Sequence, residues 1–109
     1  MLFSGVAPRS QGSIEWEFRA PQGAVFLRAE AIWLSIHPSD DNDEVGFEVS
    51  IDGGQTYQTA HKSGHPIPPI LFTPLVQGAK SFLLRVSAVN KADAPWNFLE
   101  DLRIELSAR

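Results

Sequence analysis

The residues best suited to bind a ligand lie near the C-terminal strand. Trp96 stands in the run Asp93-Ala94-Pro95-Trp96-Asn97, and Asn90 precedes that run. Asn42 and His37 offer similar planar polar groups earlier in the chain. An aromatic ring can stack on the apolar C–H face of a pyranose, while amides, carboxylates and imidazoles hydrogen-bond to its hydroxyls. We therefore predict ligand-binding roles for Trp96, Asn97, Asp93, Asn90, Asn42 and His37.

The acidic run Asp40-Asp41-Asn42-Asp43-Glu44 suggests calcium, a hard cation that prefers oxygen ligands. Read as a calcium-binding loop, however, the run places Val45 at a ligand position, where a strand also begins. We interpret the run as a solvated acidic turn and leave the metal content of the protein open.

The other polar residues do not assemble into a catalytic set. His61 and His65 are four residues apart, but the intervening glycine and the following proline disfavour the helix that would place both on one face. Glu15 and Glu17 alternate with apolar residues, which predicts solvent exposure rather than a tuned carboxylate pair. We expect a non-enzymatic protein without a cofactor.

Length and composition fit a single domain over residues 1–109. The chain has 43% hydrophobic and 20% charged residues, as globular proteins do. A net charge of -4, with scattered basic residues, disfavours nucleic acid as a partner. No apolar run has membrane-spanning length, so we expect no membrane partner either. Residues 1–7 lack the features of a secretory signal, so any export signal is expected outside this chain.

Hydrophobic alternation predicts strands along most of the chain. Ile14, Trp16 and Phe18 share one parity of residues 13–19, and polar residues occupy the other. Strands are predicted near residues 2–6, 13–19, 24–36, 45–51, 56–61, 67–72, 81–89 and 98–106. Such spacing is typical of an all-β, antiparallel two-sheet sandwich of about eight strands.

Residues 24–36 have a rival interpretation as a helix, because Ala, Leu, Arg and Glu are good helix formers. The alternation there favours a strand. Trp33 shares the parity of apolar residues within this segment, as Trp16 does in its own strand. We therefore assign both rings to the core.

Residues 50–57 read Ser-Ile-Asp-Gly-Gly-Gln-Thr-Tyr and predict a hairpin turn. An aspartate can accept hydrogen bonds from turn N–H groups, glycines allow positive φ, and an aromatic ring can cover the turn. Structural roles in this turn are predicted for Ser50, Asp52, Gly53, Gly54 and Tyr57.

If consecutive strands run antiparallel, successive connections alternate between the two ends of the sandwich. The loops at 8–12, 37–43, 62–66 and 90–97 would share one end, and the turns at 20–23, 52–55 and 74–79 the other. The first end then contains all six predicted ligand-binding residues.

The 50–57 segment resembles the Asp-box, S-x-D-x-G-x-x-W, with Tyr57 in place of tryptophan. Residues 72–78, 81–86 and 99–105 are similar to the second half of galactose-binding-like jelly-roll domains. The whole resemblance covers residues 45–106.

This resemblance implies a jelly-roll sandwich that acts as a non-catalytic carbohydrate-binding accessory module. Its expected partners are a glycan and the linked catalytic domain of a larger secreted protein, extracellular or periplasmic. Domains of this type often hold a structural calcium ion, whose ligands the sequence does not identify. The alternative is a structural or protein-interaction module that docks or oligomerises through the proline-rich edge at residues 66–74.

Overall fold

A computed structural model describes residues 2–5, 9–10, 12–37, 44–63, 68–89 and 97–109. The elements in these residues are β1 (Leu2–Gly5), β2 (Arg9–Ser10), β3 (Gly12–Arg19), β4 (Phe26–His37), β5 (Glu44–Ser50), β6 (Gln58–Ser63), β7 (Ile70–Leu71), α1 (Thr73–Val76), β8 (Ser81–Val89) and β9 (Asn97–Ala108). The predicted all-β, two-sheet sandwich is confirmed. Within the described ranges, no helix is long and apolar enough to cross a membrane.

The first sheet has the strand order β1-β9-β4-β7, with β2 also paired to β9, and the second has the order β3-β8-β5-β6. Every pairing is antiparallel. One set of partners is nested: β5 pairs with β6, β4 with β7, β3 with β8, and both β1 and β2 with β9. The fold is therefore equivalent to one long hairpin that is rolled into two layers, with residues 51–57 at its tip.

Phenylalanine rings from both sheets form the centre of the core. The Phe82 ring centroid lies 5.1 Å from that of Phe18, 5.0 Å from that of Phe26 and 5.8 Å from that of Phe72. Phe72 in turn lies 5.1 Å from Phe47. Because Phe26 belongs to the first sheet and Phe82 to the second, these contacts join the two layers.

Strand β9 follows the predicted alternation. Leu102, Ile104 and Leu106 are buried between the sheets, and Arg103 and Glu105 are exposed on the outer face. Period-two alternation is the expected pattern for a strand with one buried face. The outer face of the first sheet is therefore polar along β9.

Strand β4 departs from this alternation. Its register against β9 shifts at Phe26/Arg28, at Ala31/Trp33 and at Ser35/Ile36. An irregularity of this kind inserts a residue and moves the side chains that follow to the opposite face. The assignment of Trp33 to the core is therefore wrong, because its side chain is 54% exposed. Trp16 packs against the core as predicted.

The strand ends at residues 10, 12, 37, 44, 63, 89 and 97 lie together and are called the loop pole. In the second sheet, one row of register partners joins Gly12, Ala88, Val45 and Ser63. In the first sheet, His37 pairs with Phe98, and Asn97 pairs with Ser10. These strand ends share one pole, as predicted from the parity of the connections.

Helix α1 occupies part of the predicted 74–79 turn at the opposite pole. The Thr73 Oγ1 accepts a hydrogen bond of 3.0 Å from the Ala29 backbone N–H, and Val76 is buried. The Gly78 N–H donates to the Phe26 carbonyl at 2.9 Å, with Gly78 at φ 86°. A helix this short shows no periodicity in a sequence, so the pattern did not predict it.

We expect Phe82→Ala to lower the free energy of unfolding by about 3–5 kcal/mol, since it removes the ring that contacts three others. Urea denaturation followed by tryptophan fluorescence measures this change. The control Leu71→Ala, at a side chain that is 57% exposed, should cost about 0.5 kcal/mol or less. Equal losses in the two variants would contradict the central position of Phe82.

Candidate functional site

The predicted ligand-binding residues are only partly covered by the described ranges. Asn42, Asn90, Asp93 and Trp96 lie outside the described residues. The backbones of His37 and Asn97 are adjacent at the loop pole, because Phe98 is the register partner of His37. A binding site at the loop pole therefore stays a prediction.

The residues of the candidate calcium site are also only partly covered by the described ranges. Residues 40–43 of the acidic run lie outside the described residues. Within the part of the chain that the structure describes, no group of three or more His, Asp or Glu side chains is arranged to hold a metal ion. Structural calcium stays an open expectation.

In the 50–57 turn, side-chain oxygens accept hydrogen bonds from backbone N–H groups. The Ser50 hydroxyl donates to Asp52 Oδ1 at 2.7 Å and accepts from the Gly54 N–H at 2.9 Å. Asp52 Oδ1 also accepts from the Thr56 N–H at 2.9 Å, and its Oδ2 accepts from the Thr56 hydroxyl. Ser50 is buried, and these bonds satisfy its polar atom.

The same contacts make Asp52 more acidic than an ordinary aspartate. Hydrogen bonds from the Thr56 hydroxyl, from the Thr56 N–H and from Ser50 lower its pKa from the ordinary 3.8 to about 2. Each of these bonds favours the charged carboxylate over the neutral acid. Gly53 and Gly54, at φ 77° and 94°, supply the left-handed backbone conformations that the turn requires.

Tyr57 folds from this turn onto the outer face of the second sheet. The Arg85 guanidinium carbon lies 3.8 Å from the centroid of the Tyr57 ring, within the range of a cation–π contact. The Tyr57 hydroxyl donates to Glu15, which raises the pKa of Tyr57. Arg85 also donates to Glu48 at 3.0 Å, which raises the pKa of Arg85.

Glu15, Arg85 and Glu48 form one row of register partners across β3, β8 and β5. Tyr57 therefore links the tip of the long hairpin to β3 through Glu15 and to β8 through Arg85, and Arg85 in turn binds Glu48 on β5. Among the described residues, Tyr57 contacts Glu15 and Arg85 of the same sheet, a geometry compatible with the predicted structural role.

The outer face of the first sheet has the opposite character, because its aromatic ring is open to solvent. Trp33 is the register partner of Arg103, so the two side chains share this face. Arg103 Nε lies 3.1 Å from Asp101 Oδ2. Nearby, Arg28 lies 3.4 Å from Glu30 and 3.3 Å from Glu105. The sheet-face site is defined here as Trp33, Arg28, Glu30, Asp101, Arg103 and Glu105.

Sequence reasoning missed this site because it carried one parity through all of β4. Residues 31–34 read Ala-Ile-Trp-Leu, and a strand with one buried face cannot direct four consecutive side chains inward. This run of four apolar residues was the feature of the sequence that indicated an irregular strand. The sequence did not indicate which of its large residues would be exposed.

Replacing Asp52 with asparagine should change how stability depends on pH. Because the folded-state pKa is depressed, the carboxylate stabilises the fold above pH 3.8, and this contribution is lost as the pH falls towards about 2. Asp52→Asn should therefore be less stable than the wild type at neutral pH and nearly equal to it at pH 2. Urea titrations from pH 7 to pH 2 measure the difference.

Thr56→Val is the companion variant, since it keeps the carboxylate and removes the hydroxyl donor that lowers the Asp52 pKa most. Removing that donor raises the pKa of Asp52 in the folded protein towards its ordinary value. The loss of stability on acidification should therefore be smaller than in the wild type and should be complete at a higher pH. Parallel stability curves for the wild type and Asp52→Asn would rule out the proposed linkage.

Two outer surfaces thus present an aromatic side chain beside paired charges: Tyr57 on the second sheet, in contact with Glu15 and Arg85, and Trp33 on the first sheet, open to solvent. Comparisons of this chain with protein-family models, with curated proteins and with solved structures gave no match.

Proposed function

We propose that this chain is a non-catalytic carbohydrate-binding module and that the sheet-face site is a glycan-binding surface. The observation that carries this proposal is the 54% exposure of Trp33 on a face with paired guanidinium and carboxylate groups. Tryptophan is highly buried on average, so a tryptophan that is more than half exposed beside paired charges supports a ligand-binding role for this face.

The Trp33 indole supplies the apolar part of such a surface. Pyranose rings present C–H groups on one face, and these groups stack on the electron-rich face of an aromatic ring. Burying an indole in this way removes a large apolar area from water, which favours binding. Indole is also rigid, so little conformational entropy is lost on binding.

The ion pairs around Trp33 supply the polar part. Guanidinium groups donate hydrogen bonds and carboxylates accept them, while each sugar hydroxyl can do both. Arg103 is 56% exposed and Arg28 is 47% exposed at the side chain, so both are accessible to a ligand. Exposed ion pairs contribute only about 0–1 kcal/mol each, so they can reorganise around hydroxyl groups at low cost.

The chain path supports the jelly-roll part of the proposal. The nested antiparallel partners and the two four-membered strand paths are the arrangement expected when a long hairpin is rolled into two sheets. The contacts of Ser50, Asp52 and Thr56 are also those that an Asp-box-like turn would make. Both features are compatible with the resemblance to galactose-binding-like accessory domains.

In this role the protein would act by proximity. A module that binds a glycan weakly raises the local concentration of substrate for a catalytic domain in the same chain or complex. The proposed partners are thus a glycan and a linked catalytic domain, and the proposed location is extracellular or periplasmic.

We expect Trp33→Ala to weaken binding to soluble polysaccharides by about tenfold or more, which corresponds to about 1.4 kcal/mol of lost stacking. Affinity gel electrophoresis with a panel of polysaccharides measures the change. Trp33→Phe should keep part of the affinity, and the unfolding midpoint should change little because the ring is outside the core.

Trp96→Ala tests the predicted loop-pole site in parallel. Loss of binding in Trp96→Ala, with wild-type affinity in Trp33→Ala, would move the site to the loop pole. Failure of the wild-type protein to bind any member of the panel would overturn the carbohydrate-binding proposal.

A protein-interaction role is the second candidate, and Leu71 favours it. This side chain is 57% exposed on edge strand β7 and is the register partner of Glu30, so it shares the outer face with Trp33. Exposed apolar groups on an edge strand are typical of protein contacts. Pro68 and Pro69 precede this strand and are exposed as well.

Leu71→Ser separates the two candidates. A sugar that stacks on Trp33 gains little from Leu71, so the variant should bind polysaccharide like the wild type. In a protein interface, both Leu71→Ser and Trp33→Ala should weaken association. Sedimentation velocity over a range of concentrations measures this, and a stable dimer without glycan affinity would favour the interaction module.

A further inference from the structure

We propose that the sheet-face site selects neutral polysaccharides over acidic ones, a specificity that rests on the proposed carbohydrate-binding function. Neutral polymers are favoured because every guanidinium group in the site is already paired with a carboxylate of the same site.

Each cation of the site is compensated by carboxylates of the same surface. Arg103 is paired with Asp101 at 3.1 Å, and Arg28 is shared between Glu30 at 3.4 Å and Glu105 at 3.3 Å. Three carboxylates therefore surround two guanidinium groups. A uronate or sulfate group would have to displace one of these carboxylates before it could pair with arginine.

The carboxylate in excess of the two guanidinium groups also repels anions that do not contact it. Neighbouring charges along β9, two residues and about 7 Å apart, lie within the Debye length of about 8 Å at physiological ionic strength, so salt screens them only in part. A polyanion that approaches Trp33 meets three carboxylates beside two guanidinium groups, in a protein whose total charge is also negative at -4. A neutral hydroxylated polymer meets no such repulsion, and it finds donors and acceptors on the same surface.

The arrangement along β9 indicates that the ligand is a chain rather than a single sugar. Asp101, Arg103 and Glu105 alternate on the outer face, and with about 3.4 Å per residue they span about 14 Å. Trp33 lies opposite the middle member of this row. One sugar can stack on the indole while its neighbours along the polymer hydrogen-bond to Asp101 and Glu105.

Removing one carboxylate should change the specificity. Asp101→Asn leaves Arg103 without its charged partner beside Trp33, so a uronate could form that ion pair instead. The second sheet offers a matched control: Arg19 Nε lies 2.5 Å from Glu17 Oε1, with the same two-residue spacing. Glu17→Gln changes the net charge of the protein by the same amount, but at a surface without Trp33.

The test is affinity gel electrophoresis with galactomannan, xyloglucan and mixed-linkage β-glucan as neutral polymers and with polygalacturonate and alginate as acidic ones. The wild type should bind at least one neutral polymer and should bind the acidic polymers about tenfold more weakly or not at all. Asp101→Asn should gain about tenfold in affinity for polygalacturonate, and high salt should abolish the gain. Glu17→Gln should behave like the wild type.

The outcomes separate the specificity from the function. Tighter binding of acidic than of neutral polymers by the wild type would overturn the specificity and leave carbohydrate binding in place. An equal gain in Glu17→Gln and Asp101→Asn would assign the effect to total charge and overturn the role of the Arg103–Asp101 pair. No binding to any of the five polymers would overturn the function itself.

Discussion

The pairing of β4 with β9 is the constraint on which the rest of the structure depends. These two strands are the longest in the described chain, and they form the middle of the first sheet. Their inner faces supply Phe26, Leu34, Leu102 and Ile104 to the core, and their outer faces supply the whole sheet-face site. The positions at which the β4–β9 register shifts determine which side chains of β4 are buried and which are exposed.

Trp33 shows this most directly. If β4 alternated without interruption, the indole would point towards the phenylalanine core, which is already closely packed. The register shift between Ala31 and Trp33 places the ring opposite Arg103 instead. The same irregularity thus keeps the indole outside the sandwich and creates the feature on which the proposed function rests.

Regular strands were predictable from the sequence, and irregular backbone was not. Strand β8 was predicted at its observed bounds, because Phe82, Leu84 and Val86 share one parity of residues 81–89. The acceptance of a turn N–H by Asp52, here from Thr56, was expected from the chemistry of Asp-Gly turns. The hydroxyl donors Ser50 and Thr56 were not predicted. The face of Trp33 and helix α1 depend on register shifts and on tertiary contacts such as Thr73 with Ala29, which leave no periodic signal in the sequence.

The nested order of the strands also sets the order in which the chain can be organised during folding. The β5–β6 pair closes a short loop, whereas β1 and β9 meet across most of the chain length. Closing a longer loop costs more chain entropy, and a high contact order slows folding. The Ser50–Asp52–Thr56 cluster sits at the innermost closure, where the entropic barrier is smallest. Because hydrogen bonds lower the pKa of Asp52 to about 2, the carboxylate in this shortest closure keeps its charge and its donors at acidities where an ordinary aspartate is protonated.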